Sequence, residues 1–263
     1  MTEPVYRVYA IRYAYRDARR QEHFYGAIDR PDESMPISYF VWLIVGDDTA
    51  VVVDTGFTAD EAQRRGRTYV MAPRDGVRAL GVAPEAVDTV VLTHLHYDHA
   101  GCASAFTGAS FVLQEREMAF WTGRHAAAIG MPHQLVVPRD VTYLCQVNFD
   151  ARILWVDGAR DLRPGISVHL VGGHTRGMQV VRVETAAGTA VLASDASHFY
   201  ENIHTDRPYS IVDSVPGALD AFQLVRELAS HPDLIVPGHD PALLDRFTPA
   251  GPDELSGHVV LIA

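Results

Sequence analysis

Near the start of the chain residues alternate with the two-residue period of a half-buried strand, and short apolar runs bounded by turns follow. Val5–Tyr13 predicts an opening strand. Tyr39–Val45 and Ala50–Val53 predict a hairpin about the polar turn Gly46-Asp47-Asp48. Ala59–Arg65 reads as a helix with Thr58 as its N-cap. Further strands are expected at Val87–Thr93, Ser110–Leu113, Ser167–Val171, Val180–Glu184 and Ala190–Ala193. Leu219, Phe222, Leu224, Val225 and Leu228 recur at helical spacing, and Pro216 fits a first turn, so Pro216–Ser230 predicts a helix. No repeat, low-complexity tract or linker interrupts the series. A single domain over residues 1–263 is expected.

Two stretches do not fit that series. Residues 116–150 form an insert in which Met118, Phe120, Trp121, Met131 and Tyr143 either line an apolar pocket or pack the insert onto the core. His23–Tyr39, with Phe24, Tyr25, Pro31, Met35 and Pro36, reads as a loop able to cover a site.

Polar residues interrupt the apolar runs in a repeated way. Four buried strands each run into a short turn of small or polar residues and then into metal-ligating side chains. THLHYDH gives His94, His96, Asp98 and His99; VGGHTRG gives His174; ASDASH gives Asp195; and VPGHD gives His239. Imidazole and carboxylate suit zinc and similar metals. The C-terminal edge of strands is where α/β sites form. His94 and His96, two apart at a strand end, are expected to point the same way. Asp98 and His99 then fall on the following turn or helix start. One segment can thus serve two neighbouring metals.

With HLHYDH, GGHTRG, SDASH, PGHD and VVVDTGF at residues 51–57, the chain resembles the metallo-β-lactamase-fold hydrolases over about residues 38–247. Within them it looks most like the N-acyl-homoserine lactonases. The resemblance implies an α/β fold, a four-layer αββα sandwich. It implies two metals, one held by His94, His96 and His174 and one by Asp98, His99 and His239, with Asp195 bridging. Zn2+ is the default, and Mn2+, Fe2+ or Co2+ suit the same donors. Asp54 of the DTG turn is expected to orient ligand imidazoles. The implied reaction is attack of a metal-bridging hydroxide on a lactone carbonyl, with Asp98 passing a proton to the leaving alkoxide. The chain departs from the lactonase pattern at His198, where those enzymes carry a tyrosine that meets the substrate carbonyl. His198 is the expected oxyanion donor, and Tyr200 is the alternative.

The formal charge of −11 argues against nucleic acid as a partner, and RDARR at residues 16–20 reads as a brief solvated segment. No apolar run approaches a membrane span, and the arginine-studded N-terminus has no signal-peptide core. A cytoplasmic monomer or homodimer acting on a small molecule, a lactone with an apolar or aromatic group, is the expectation. Cys102 and Cys145 are too few for a disulfide framework, and Cys102 reads as a small buried residue. Other hydrolytic substrates remain as alternatives: a thioester, a cyclic amide, a β-lactam or an organophosphate. A bridging aspartate argues against a typical β-lactamase, and histidine at position 96 against a redox di-iron site. A non-catalytic metal-binding protein is the remaining alternative.

Overall fold

The computed structural model describes residues 4–127 and 132–263. In chain order, the first strands are β1 (Arg7–Arg16), β2 (Ile37–Gly46) and β3 (Thr49–Val53), followed by α1 (Ala59–Arg65), β4 (Thr68–Tyr69) and α2 (Pro73–Ala79). Then come β5 (Thr89–Val91), α3 (Tyr97–Ala100), β6 (Ser110–Gln114), α4 (Glu115–Trp121), α5 (Pro132–Leu135) and α6 (Pro138–Phe149). The second half holds β7 (Ile153–Val156), β8 (Ala159–Arg163), β9 (Ile166–Leu170), β10 (Gln179–Thr185), β11 (Gly188–Ser194), α7 (Tyr200–His204) and α8 (Val215–Leu228). It closes with β12 (Ile235–Pro237), α9 (Leu243–Arg246), β13 (Thr248–Pro249) and β14 (Val259–Leu261).

One sheet runs β13-β14-β1-β2-β3-β5-β6-β7, with β4 paired to β1; the other runs β12-β11-β10-β9-β8. The strands β3, β5, β6 and β7 are parallel, which the intervening helices permit. The side-chain period of two sorts β2 between two cores. Phe40, Trp42 and Ile44 face the second sheet's Val168, Val181 and Leu192. Tyr39, Val41 and Leu43 face outward, where Ala62 of α1, Val77 of α2 and Leu144 of α6 cover them. On the far side, α8 packs Ala221, Phe222 and Val225 onto Val180 and Val191. The layers are therefore helix, sheet, sheet, helix.

The expected elements are present with shifted ends. The opening strand begins at Arg7 rather than Val5 and continues to Arg16. Thr58 caps α1 as expected, accepting from the Glu61 amide at 3.3 Å. The strand before the main motif is only Thr89–Val91. In α8 the buried face is Ala218, Ala221, Phe222 and Val225, whereas Leu219 is 39% exposed. No helix among the described residues is long and apolar enough to cross a membrane.

The insert is helical and serves in both of the expected ways: its residues pack onto the core, and Phe120 and Tyr143 also line cavities. Met118 and Trp121 are buried in the outer core, and Phe120 and Tyr143 pack against it. Met131 lies outside the described residues. The loop His23–Tyr39 is pinned on both flanks. His23 Nε2 meets the Met35 carbonyl at 2.8 Å, and the Tyr25 amide donates to the Pro208 carbonyl at 2.8 Å. Phe24 is buried and Tyr25 is exposed. RDARR is only partly solvated: Asp17 and Arg19 are exposed, but Arg20 is buried against Glu201 and Asp29.

Candidate metal centre

The side chains singled out from the sequence meet at one end of the two sheets. His94, His96, Asp98 and His99 follow β5, His174 lies between β9 and β10, Asp195 follows β11 and His239 follows β12. The strand β5 ends before His94, so a loop rather than strand alternation turns His94 and His96 inward, their ring centroids 4.4 Å apart. Three groups bring one donor atom each within 4.8 Å of one another: His94, His96, His174 and Asp195; Asp98, His99 and His239; and Asp195, His198 and His239.

Asp195 sits between two imidazole sets. Its Oδ2 faces His94 at 3.7 Å, His174 at 3.2 Å and His198 at 3.0 Å. Its Oδ1 faces His99 at 3.3 Å and His239 at 2.9 Å. Burial opposes its charge, but the surrounding His198, His239 and His99 hold the carboxyl well below the usual carboxylate range.

The tautomers are set from outside the cluster. His174 Nδ1 donates to the Ile211 carbonyl at 2.8 Å and His239 Nδ1 to the Ser38 carbonyl at 2.8 Å. His99 Nδ1 lies 2.8 Å from Asp54 Oδ2. A proton on each Nδ1 leaves each Nε2 lone pair aimed inward, the arrangement metal-ligating histidines use. Burial, then the neighbouring histidines, hold His94 and His96 well below the ordinary imidazole range and so uncharged. His94 Nε2, His99 Nε2 and Asp195 Oδ1 are buried without a hydrogen-bond partner. Orphaned lone pairs of this kind are costly, and a divalent cation in each set satisfies them. The donor set therefore fits two metals.

Asp54 does the orienting work expected of it. It is fully buried and accepts from the Thr93 amide, the Thr93 hydroxyl and His99, each at 2.8 Å. Its φ of 60° is a conformation costing about 1–3 kcal/mol outside glycine. Gly238 makes room for Asp195, since a Cβ there lies 2.8 Å from Asp195 Oδ1.

Three residues were not singled out. Glu117 of α4 is fully buried and accepts from the Leu95 amide at 3.0 Å, Trp121 Nε1 at 2.8 Å and the Gly177 amide at 3.0 Å. It ties the His94–His96 loop to the His174 loop. A Cβ at Gly177 comes within 2.3 Å of the Glu117 amide nitrogen. In Glu117→Gln an amide NH2 meets a buried donor, so stability falls by about 2–3 kcal/mol. That equals a drop of roughly 5–10 °C in Tm. An unchanged melting curve refutes this role. The other two are Tyr39 and Tyr209, which line the cavity over the cluster. Glu117 lacks a motif, and Tyr209 lies in a loop distant from the ligands in sequence, so neither gave a local signal.

His198 is buried within the cluster rather than at the surface. Tyr209 stacks face to face on it, with centroids 3.4 Å apart and planes 3° apart. Tyr200 does not serve as its alternative. Its ring belongs to the core between the sheets, under the Arg246 guanidinium at 4.3 Å. Cys102 lines a different cavity, with Arg139, Asp140 and Tyr143, and burial pushes its thiol up to about 12.

The model of the metallo-beta-lactamase superfamily matches residues 36–239. An N-acyl homoserine lactonase from a Bacillus species is 24% identical over 225 residues, 80% of this chain and 84% of that protein. The N-acyl homoserine lactonase AiiB of Agrobacterium fabrum is 32% identical over 192 residues, 64% of this chain and 65% of that protein. The crystal structure of a quorum-quenching N-acyl homoserine lactone lactonase superposes with a TM-score of 0.73 at 21% identity, covering 91% of this chain and 94% of that one. The family match spans most of the chain and contains every residue of the donor cluster. The chain belongs to the metallo-beta-lactamase superfamily.

Proposed function

We propose that this chain is a dinuclear metal-dependent hydrolase that opens a lactone ring. The observation that carries the reading is the division of Asp195, one oxygen to each imidazole set. His94, His96 and His174 would hold one metal and Asp98, His99 and His239 the other, with Asp195 shared between the two sets. When bound, the metals, zinc by default, supply Lewis acidity and lower the pKa of water near neutral pH.

The chain's own residues do the rest. The cavity above the cluster has a volume of about 190 Å³. Tyr39 and Tyr209 form part of its wall and exclude bulk water. Burial raises the Tyr209 phenol well above its ordinary range, so it stays protonated and able to donate to a developing oxyanion. His198, its Nε2 on Asp195, holds that ring by stacking. Asp98 lines the same cavity and is placed to pass a proton to the alkoxide as the ring C–O bond breaks. The lactonase relatives support the lactone, and their shared family supports hydrolysis.

The test is a substrate panel on zinc-loaded protein: a γ-lactone, a thioester, a β-lactam and a phosphotriester. Turnover of the lactone to its hydroxy acid is expected. Turnover of another class with no lactone hydrolysis refutes the reading. Tyr209→Phe is expected to lower kcat on the lactone by about 10²-fold, the cost of one oxyanion donor, with little change in KM. Tyr200→Phe, in the core, is the comparison and leaves kcat unchanged. Equal kcat for Tyr209→Phe and the unaltered protein removes Tyr209 from the mechanism.

A further inference from the structure

Three arginines share the cavity wall with the metal ligands: Arg16, Arg65 and Arg67. They come from separate places. Arg16 ends β1, Arg65 ends α1 and Arg67 stands just before β4. The pairing of β4 with β1, Ala14 opposite Tyr69 and Tyr15 opposite Thr68, draws Arg67 to the end of β1 beside Arg16.

Their neutralisation is incomplete. Arg16 pairs with Glu22 at 2.9 Å and Arg65 pairs with Glu61. Arg67 donates to the Arg65 carbonyl at 2.9 Å and pairs with no carboxylate among the described residues. Each of the three carries a buried guanidinium nitrogen without a hydrogen-bond partner, Nε of Arg16 and Arg67 and Nη2 of Arg65. The carboxylates in the cavity wall are Asp98 and Asp195. Both belong to the candidate donor sets, and two divalent metals there would outweigh their two negative charges. The protein carries a formal charge of −11, so this positive excess is a local construction rather than a property of the surface at large.

The arginines are also held in place. The Arg65 guanidinium lies over the Tyr97 ring at 3.6 Å, and that of Arg67 faces the Tyr39 ring at 5.9 Å. Stacked guanidiniums lose little freedom when they take up a carboxylate. Among the described residues the apolar lining is sparse: Ile37, Leu135 and Ile211 beside the tyrosines. Met118 and Trp121, which suit an acyl chain, are packed into the core instead.

We infer that the substrate is an anionic lactone, one whose ring bears a carboxylate that Arg16, Arg65 and Arg67 receive while the ring carbonyl faces the metal ligands. The inference rests on the hydrolytic reading and names its substrate class. Water adds to the carbonyl, the ring C–O bond breaks, the alkoxide takes a proton, and the product is a hydroxy dicarboxylate.

Binding and turnover separate the two readings. Glutarate and valerate share a five-carbon chain but carry two carboxylates and one. By calorimetry on zinc-loaded protein, glutarate is expected to bind at least about tenfold more tightly. Arg67→Gln is expected to close that gap, and Arg116→Gln, whose side chain pairs with Asp157 away from the cavity, to preserve it. In turnover, 5-oxotetrahydrofuran-2-carboxylate is expected to exceed γ-butyrolactone in kcat/KM by about tenfold or more, a ratio that Arg67→Gln reduces. Equal affinity for the two acids, no binding of glutarate, or a gap that survives Arg67→Gln overturns the anion site. A protein that hydrolyses γ-butyrolactone and lacks the gap loses only this inference. One that shows the gap and hydrolyses no lactone loses only the hydrolytic reading.

Discussion

Under the proposed dinuclear reading, replacing Asp195 by asparagine is expected to cost the protein one of its two metals and, with it, nearly all turnover. The carboxylate is the anion set between two groups of imidazoles, Oδ2 toward His94 and His174 and Oδ1 toward His99 and His239. Two dications this close repel, and an amide has no charge to offset that repulsion. Breaking one member out of a buried charged set costs about 3–5 kcal/mol. Metal affinity at the shared position therefore falls by roughly 10²- to 10⁴-fold. Elemental analysis after dialysis is expected to read one metal or fewer per chain, and kcat is expected to fall with occupancy. Far-ultraviolet circular dichroism distinguishes this result from misfolding, because asparagine keeps the shape of the aspartate side chain beside Gly238. Two metals and unaltered kcat in Asp195→Asn refute the bridging role.

Most of that cluster is legible in the sequence, for a physical reason. A donor residue placed soon after a strand needs only local chain geometry to reach the sheet edge, so HLHYDH, GGHTRG, SDASH and PGHD each announce themselves. The layered fold follows the same logic, because β2 and β10 carry their burial in their own apolar runs. Other features depend on contacts between distant segments. Glu117 is recognisable only once α4 lies against the amides of Leu95 and Gly177. Tyr209 gains its place by stacking on His198, and no spacing rule joins those positions. Arg16 looks like part of a solvated basic run until β4 pairs with β1 and brings Arg67 beside it. The aromatic insert misleads in the opposite direction. Its Met118 and Trp121 have the composition of a ligand pocket, yet Trp121 donates to Glu117 and covers the outer face of the first sheet. Composition alone cannot tell a pocket wall from a packed face.

Chelation is expected to lower stability as sharply as it lowers activity. In the folded chain the donors of both sets are already gathered and buried, with His94 Nε2, His99 Nε2 and Asp195 Oδ1 lacking partners of their own. Unfolding scatters them, so metal binds the native state in preference. A ligand at a thousand times its Kd stabilises by about 4 kcal/mol per site. Two sites then place the loss of Tm on chelation at about 10 °C or more. Returning zinc is expected to restore both Tm and lactone turnover, with the calorimetric titration saturating at two equivalents. Fixed Nδ1 donors on His99, His174 and His239 favour that recovery, because Asp54, Ile211 and Ser38 hold the rings in place without the metals. A melting temperature indifferent to chelation means that the cluster holds no metal. Saturation at one equivalent means that Asp195 faces a single cation and the division of the donors into two sets is wrong.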